Sequence, residues 1–245
     1  MSGHSKWHNI QKTKGAQDAK RAATFTKIAK EMYVAVKEGG GSADPNYNSR
    51  LATVITKAKA ANMPNDNIKR VLEKAANAGS GDAYEAITYE GYGPGGIAVI
   101  VETMTDSRNR TAGNVRHHFD KYGGNMGASG CVAWSFSKKG VLVIDNEDED
   151  YAEDDVMMDA MDAGADDFEA EDDCFTIYTQ PDDFNAVADA LGKKGYAFAS
   201  AQIEMVPSEY KKLDNPDNAA MMEKMLDIFE DDDDVQNVWH NWDRD

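Results

Sequence analysis

Apolar residues recur at steps of three and four over the first third of the chain, which is the spacing of amphipathic helices. The stretches with this spacing predict helices over residues 18–38, 48–62 and about 65–75. Three glycines at 39–41 end the first helix and Pro64 ends the second, since glycine supplies a left-handed cap and proline cannot continue a helix. The pattern predicts a three-helix domain followed by a linker at residues 79–81.

Shorter segments that alternate between strand and helix patterns follow residue 82 and are typical of α+β domains with mixed or antiparallel sheets. Residues 132–137 and 141–144 predict a hairpin whose turn is Lys138-Lys139-Gly140. From residue 141 to residue 206 the order is strand, helix, strand, strand, helix, strand. This order indicates a ferredoxin-like domain.

Residues 82–137 supply strand, strand, helix and strand, but they lack the closing helix and strand of a similar domain. The C-terminal tail supplies both, with a methionine-rich helix at 217–229 and a strand near 235–242. We therefore predict an α+β fold in which a three-helix domain precedes two α/β domains of ferredoxin-like or related type. The predicted domains are residues 1–80, residues 81–137 together with 207–245, and residues 138–206.

Gly91, Gly93 and Gly96 have the spacing of a dinucleotide-binding loop. Such a loop opens a helix whose N-terminus meets the pyrophosphate, but the apolar residues 97–101 that follow are typical of a strand. Pro94 also lacks the amide hydrogen that a phosphate would need. A glycine-rich β-hairpin is therefore favoured over a nucleotide site.

The composition is that of a folded protein outside the membrane, with 41% hydrophobic and 29% charged residues. The longest aliphatic run, residues 97–101, is far too short to cross a bilayer. The basic N-terminal residues are not followed by an apolar stretch, so no signal peptide is expected. Cys131 and Cys174 are the two cysteines, and their wide spacing fits a reducing compartment. We expect a soluble cytoplasmic protein with no membrane partner.

Charge is distributed unevenly along a chain whose formal net charge is -18. Residues 1–80 hold 14 lysines and arginines against 6 acids, whereas residues 146–245 hold 6 against 31. This division predicts one part that binds a polyanion and another that repels it. The alternative is that the acidic part only aids solubility.

Catalytic and metal-binding patterns are weak in this sequence. His4 and His8 lie four residues apart, but no third ligand is apparent. Of His117 and His118, one is expected at a core edge and the other on the surface. The acids of residues 145–173 are too numerous to single out an acid–base pair. We therefore predict no catalytic residues, no metal, no cofactor and no small-molecule substrate. The alternative is an enzyme that uses a cleft between the α/β domains.

Arg108, Arg110 and Arg116 lie at or near the start of a predicted helix. They predict a second anion site, since cations near a helix N-terminus can bind an anion there. The alternative is a capping loop, with Asp106 or Ser107 as the cap, that carries surface arginines.

The basic N-terminal segment gives the clearest indication of function, because its cations can neutralise phosphates if they share a surface. Trp7 lies among them and can stack against a base. Lys20, Lys27 and Lys30 are predicted on the solvent face of the first helix. The predicted nucleic-acid-binding residues are His4, Lys6, Trp7, Lys12, Lys14, Lys20, Arg21, Lys27 and Lys30. The alternative is that Trp7 and Ile10 fix the segment to the domain and its lysines are only solvated.

Several ordered motifs make the sequence resemble the YebC/PmpR family over nearly its whole length. These motifs are GHSKW at residues 3–7, AQDAKR at 16–21, FTK at 25–27, GGG at 39–41, AANMP at 60–64, YEGYGPGG at 89–96 and DSRNRT at 106–111. The resemblance implies a cytoplasmic, non-catalytic protein with an N-terminal helical domain and two α/β domains. The basic motif of the family matches here at His4, Lys6, Trp7, Lys20, Arg21 and Lys27.

Two kinds of function are implied by the resemblance. Some members of the family are described as DNA-binding transcriptional regulators. Others, related to the mitochondrial translational activator of cytochrome oxidase, are described as ribosome-associated factors that help translation through proline runs. We therefore predict a DNA-binding transcriptional regulator, with binding to ribosomal RNA or the ribosome as the alternative.

Overall fold

The computed structural model describes residues 17–77, 84–147, 151–171 and 173–244, with the backbone alone for residues 17–22 and Ala60. The described residues form two compact units. The larger unit holds residues 17–132 and 214–240, and the smaller unit holds residues 133–213 and 241–244. The boundaries of the three predicted domains stay a prediction.

Three helices open the larger unit, namely α1 (Gln17–Glu38), α2 (Ser49–Ala60) and α3 (Asn65–Ala76). Each helix contributes apolar side chains to one shared core that includes Ile28, Met32, Leu51, Val54, Ile68 and Ala75. The buried Asn48 begins α2, since its Oδ1 accepts from the amide of Leu51 at 3.0 Å and its Nδ2 donates to the carbonyl of Ala35 at 2.8 Å. The predicted three-helix arrangement is confirmed.

Strands and helices alternate along the rest of the chain. Their order is β1 (Glu85–Tyr92), β2 (Ala98–Thr105), α4 (Arg108–Lys121), β3 (Asn125–Met126), β4 (Phe136–Asp145), α5 (Glu153–Ala163), β5 (Asp167–Ala170), β6 (Cys174–Thr179), α6 (Phe184–Lys194), β7 (Phe198–Pro207), β8 (Lys211–Lys212), α7 (Pro216–Asp231), β9 (Val235–His240) and β10 (Trp242–Asp243). Short 3₁₀ turns lie at Pro94–Gly96 and Ala133–Ser135. The predicted α+β class is confirmed.

The sheet of the larger unit has the strand order β3-β1-β2-β9, and each neighbouring pair is antiparallel. Its edge strand β9 comes from the C-terminal tail and pairs Val238 with Val101 of β2. Helix α7 of the tail packs against α4, where the rings of Phe229 and Phe119 lie 5.4 Å apart, edge to face. The tail therefore completes the sheet and the core of the larger unit.

The sheet of the smaller unit has the order β5-β6-β4-β7 and is antiparallel throughout. Helices α5 and α6 cover one face through a core that includes Leu142, Val156, Ile177, Val187 and Leu191. This order of strands and helices is the split β-α-β arrangement. The predicted ferredoxin-like order of elements is confirmed.

The predicted hairpin around Lys138-Lys139-Gly140 is wrong. Residues 136–145 form one continuous strand, β4, and Gly140 lies inside it, paired with Thr179 on one side and Ile203 on the other. A Cβ at position 140 would overlap the Thr179 hydroxyl and lie 2.7 Å from Cδ2 of Phe184. Glycine stands here because of close packing and not because of a turn.

The predicted hairpin at Gly91, Gly93 and Gly96 is confirmed, since β1 and β2 pair antiparallel on either side of the Pro94–Gly96 turn. Gly95 and Gly96 have φ angles of 66° and 75°, which residues other than glycine rarely adopt. No helix within the described residues is long and apolar enough to span a membrane.

Candidate nucleic-acid interface

Lys30 is only 7% exposed, so its prediction on the solvent face of the first helix is wrong. Its ammonium group donates to Oδ1 of Asp234 and to the carbonyl of Asp233, each at 2.7 Å. The periodicity of α1 did not show this burial, because the acidic partner lies about 200 residues away in the sequence. A phosphate would therefore have to displace a carboxylate to reach Lys30.

Lys27, one turn earlier on α1, also faces the acidic run, which we define as residues 230–234. Its ammonium group donates to the carbonyl of Glu230 at 2.9 Å. Burial lowers the pKa of Lys27, although Glu230 and the neighbouring aspartates favour the charged form. The ammonium groups of Lys27 and Lys30 are thus both hydrogen-bonded to the acidic run, Lys27 to a backbone carbonyl and Lys30 to a carboxylate as well, and neither is free to bind a phosphate without losing these contacts.

Asp234 is the centre of this contact. Besides Lys30, its carboxylate accepts from Arg110 Nη2 at 2.8 Å and from the Thr111 hydroxyl at 2.8 Å. Burial would raise the pKa of Asp234, but the hydrogen bonds from Lys30, Arg110 and Thr111 outweigh it and lower the pKa to about 2. The network joins helix α1, helix α4 and the C-terminal tail.

The three arginines of the predicted second anion site have different surroundings. Arg110 is bound by Asp234 and Asp106, each at 2.8 Å, and hydrogen bonds to these two carboxylates raise its pKa. Arg108 and Arg116 lie exposed on α4. An anion site therefore stays a prediction for Arg108 and Arg116, while Arg110 has a structural role. Ser107 occupies the predicted N-cap position, but its side chain makes no capping hydrogen bond.

The N-terminal part of the predicted interface cannot be placed from the described residues. His4, Lys6, Trp7, Lys12 and Lys14 lie outside them. Lys20 and Arg21 lie in helix α1, where the structure describes only their backbone. Their contribution to binding stays a prediction.

A different set of cations in the helical domain lies on the surface. We define the α2–α3 face as the exposed Lys59, Lys69, Arg70 and Lys74. Lys59, Arg70 and Lys74 have no carboxylate within 4.0 Å among the described residues, and Lys69 lies 4.0 Å from Glu73. Lys57 on α2, in contrast, is bound to Glu31 at 2.6 Å. The sequence indicated these cations only as a general excess of positive charge.

Other chemical groups cluster elsewhere in the larger unit. His118 is half-buried, with Nε2 3.5 Å from Asp232 Oδ2 and its ring edge-on to Phe229, while His117 is exposed. Burial lowers the pKa of His118, although Asp232 opposes this effect. The predicted division between a core-edge and a surface histidine is confirmed.

A cleft of about 440 Å³ lies beside His118 and the acidic run in the larger unit. Its charged lining groups include Lys30 and Arg110, which both donate hydrogen bonds to Asp234, a third lining group. These three groups connect helix α1, helix α4 and the C-terminal tail, and we interpret them as structural.

In the smaller unit, Glu171, Asp173 and Cys174 bring possible metal-ligand atoms within 4.8 Å of one another. Burial, reinforced by the charge of Glu171, raises the pKa of the Cys174 thiol. A protonated thiol is a poor metal ligand. Clustered acids are common on acidic surfaces, and we assign no metal to this group.

Comparison with known proteins identifies the family of this fold and surface. The model of the "TACO1/YebC protein N-terminal domain" matches residues 5–78, and that of the "TACO1/YebC second and third domain" matches residues 84–242. The chain belongs to the TACO1/YebC family. The family resemblance read from the sequence motifs is thus confirmed.

Similar members of the TACO1/YebC family cover almost the whole chain. A protein of Acetivibrio thermocellus is 54% identical over 99% of both chains, and one of Clostridium botulinum strain Okra is 56% identical over 98% of this chain and 96% of its own. Both are named "probable transcriptional regulatory protein". The crystal structure of a conserved hypothetical protein from Aquifex aeolicus has a TM-score of 0.82 at 39% identity and covers 92% of this chain and 91% of its own.

Proposed function

We propose that this TACO1/YebC protein is a non-enzymatic transcriptional regulator that binds DNA through its basic N-terminal helical domain. The observation that carries the proposal is the α2–α3 face, where Lys59, Arg70 and Lys74 are exposed without a carboxylate partner in the described residues. Cations that are not already neutralised release counterions when they meet phosphate, and this release drives binding to nucleic acid.

The distribution of charge supports the same surface. Residues 146–245 carry 31 acids against 6 cations and would repel a polyanion. The acidic run, which lies in the same unit as the helical domain, is partly neutralised by Lys27, Lys30 and Arg110. A polyanion approaching the larger unit therefore meets its most positive surface on the helical domain.

The names of the relatives support a regulatory role in transcription, and for this reason we propose DNA as the polyanion. We further propose that the predicted N-terminal cations Lys6, Lys12 and Lys14 add phosphate contacts to those of the α2–α3 face. A cytoplasmic location follows from this role.

Fluorescence anisotropy with a labelled 30-base-pair duplex, measured at several salt concentrations, tests the proposal. We expect log K to fall linearly with log salt, by about 0.9 for each phosphate contact. Unlabelled duplex DNA should compete more strongly than ribosomal RNA at equal nucleotide concentration. A flat salt response would contradict phosphate binding, and stronger competition by ribosomal RNA would replace DNA with a role on the ribosome.

A further inference from the structure

Helices α2 and α3 are connected by residues 61–64, and a connection of this length is typical of helix-turn-helix motifs. In such motifs the second helix enters the major groove of DNA. The surroundings of the turn and the outward face of α3 decide whether this pair of helices can act in the same way.

The turn itself is fixed by hydrogen bonds. The amide of Met63 donates to the carbonyl of Ala58 at 2.9 Å, and the amide of Asn62 donates to that of Lys59 at 2.9 Å. Asn62 has a left-handed φ of 59°. These features form a Schellman cap, which ends α2 and sets the direction of the following chain. Met63 is 6% exposed in the helical core, so the turn is also held from inside.

Helix α1 supports the pair from behind. Its side chains Ile28 and Met32 lie in the same core as Ile68 and Ala75 of α3. With one face of α3 fixed to this core, the opposite face is directed outward. A three-helix arrangement in which one helix supports a helix-turn-helix pair is also found in homeodomains.

The outward face of α3 carries side chains that can read base edges. Asn65, Asp66, Lys69 and Arg70 are exposed in its first two turns. Asparagine pairs with adenine, arginine and lysine pair with guanine, and a carboxylate accepts from cytosine in the major groove. Lys59 at the end of α2 and Lys74 at the end of α3 flank this group and can contact phosphates on either side.

The face favours duplex DNA over the other nucleic acids. Residues 65–76 contain no aromatic residue on which an unpaired base could stack, as single-stranded binding requires. The major groove of duplex RNA is too narrow for side chains to read. The face is polar and carries three exposed cations, Lys69, Arg70 and Lys74, against the two acids Asp66 and Glu73. Its small excess of positive charge suits it to the wide major groove of B-form DNA.

We propose that α3 binds in the major groove of double-stranded DNA, with Asn65 and Arg70 contacting base edges and Lys59 and Lys74 contacting phosphates. This inference rests on the proposed function and adds to it a groove, a recognition helix and a sequence preference. Arg70 thus determines specificity, whereas Lys74 contributes affinity without specificity.

Selection from a duplex library with a random 20-base-pair core, using the full chain, tests this assignment. The wild-type protein should enrich a motif that contains a guanine. Arg70→Ala should lose the preference at that guanine and bind the selected duplex roughly 5- to 150-fold more weakly. Lys74→Ala should weaken binding to selected and random duplexes by the same factor. Both variants should melt at the wild-type temperature, because both side chains are exposed.

Methylation of the selected duplex with dimethyl sulfate then identifies the groove. Methyl groups on guanine N7, in the major groove, should interfere with binding of the wild-type protein. If duplex binding is salt-dependent but no motif is enriched, or if only adenine N3 in the minor groove interferes, groove reading by α3 is wrong and the proposed DNA binding stands. If no duplex binds, the proposed function itself fails.

Discussion

Lys30 Nζ lies 2.7 Å from Asp234 Oδ1, and both side chains are more than nine-tenths buried. The most basic part of the sequence thus meets the most acidic part inside the larger unit. Because Arg110 and Thr111 bind the same carboxylate, three separate segments of the chain depend on one side chain. The charge excess of the first helix is therefore partly structural, and the nucleic-acid binding that we propose rests on the cations that remain on the surface.

Replacing Lys30 by Met should destabilise the protein strongly. The variant keeps most of the side-chain volume but leaves the buried Asp234 without its closest cation. Removal of one partner of a buried pair costs about 3 kcal/mol of unfolding free energy. Lys57→Met is the matched control, since Lys57 forms a 2.6 Å pair with Glu31 but is half exposed, and it should cost less than about 1 kcal/mol. Equal losses for both variants in urea denaturation would contradict the structural role of Lys30.

Acid should weaken the contribution of Asp234. Its pKa is about 2 in the folded protein, against roughly 3.9 for an unfolded aspartate. Because the folded pKa is depressed, the stabilisation is complete above about pH 5 and is lost as the pH falls toward 2. The difference in unfolding free energy between wild type and Asp234→Asn should shrink by roughly 2 kcal/mol over this range. A difference that stays constant from pH 6 to pH 2 would show that Asp234 does not titrate as proposed.

Gly140→Ala should destabilise the smaller unit. The added Cβ would overlap the Thr179 hydroxyl and crowd the ring of Phe184, and such overpacking costs about 1–3 kcal/mol. Gly192 in α6 serves as the control, since a Cβ there meets nothing within 4 Å. Gly192→Ala should be neutral or stabilise by up to about 1 kcal/mol, because alanine favours helices. Thermal melting compares the two, and a stable Gly140→Ala variant would indicate a turn at this position after all.

Local pattern predicted the helical domain well. The stretch 18–38 differs by one residue from the observed helix Gln17–Glu38, because apolar spacing and the following glycines are local signals. The prediction of a turn at Gly140 is wrong for the opposite reason. Its requirement comes from Thr179 and Phe184, which are distant in sequence, and a glycine after two lysines looks the same in a turn and in a crowded strand.

The candidate site was only partly predictable. Charge counting indicated the helical domain, but Lys30 was predicted to bind nucleic acid, whereas Arg70 entered only as part of the general excess of positive charge. Which of them is buried depends on Asp234, which the topology brings to α1 from the C-terminal tail. The sequence shows how many cations a domain holds, whereas the fold determines which of them are neutralised by the protein itself.

The salt dependence of DNA binding by an α2–α3 variant tests the central claim most directly. Lys59→Ala, Arg70→Ala and Lys74→Ala, combined in one chain, should reduce the slope of log K against log salt by between about 2 and 3. The matched control removes the same charge from exposed lysines elsewhere, as Lys193→Ala, Lys211→Ala and Lys224→Ala, and should keep the wild-type slope. An unchanged slope for the α2–α3 variant, or an equal loss in the control, would contradict DNA binding through this face.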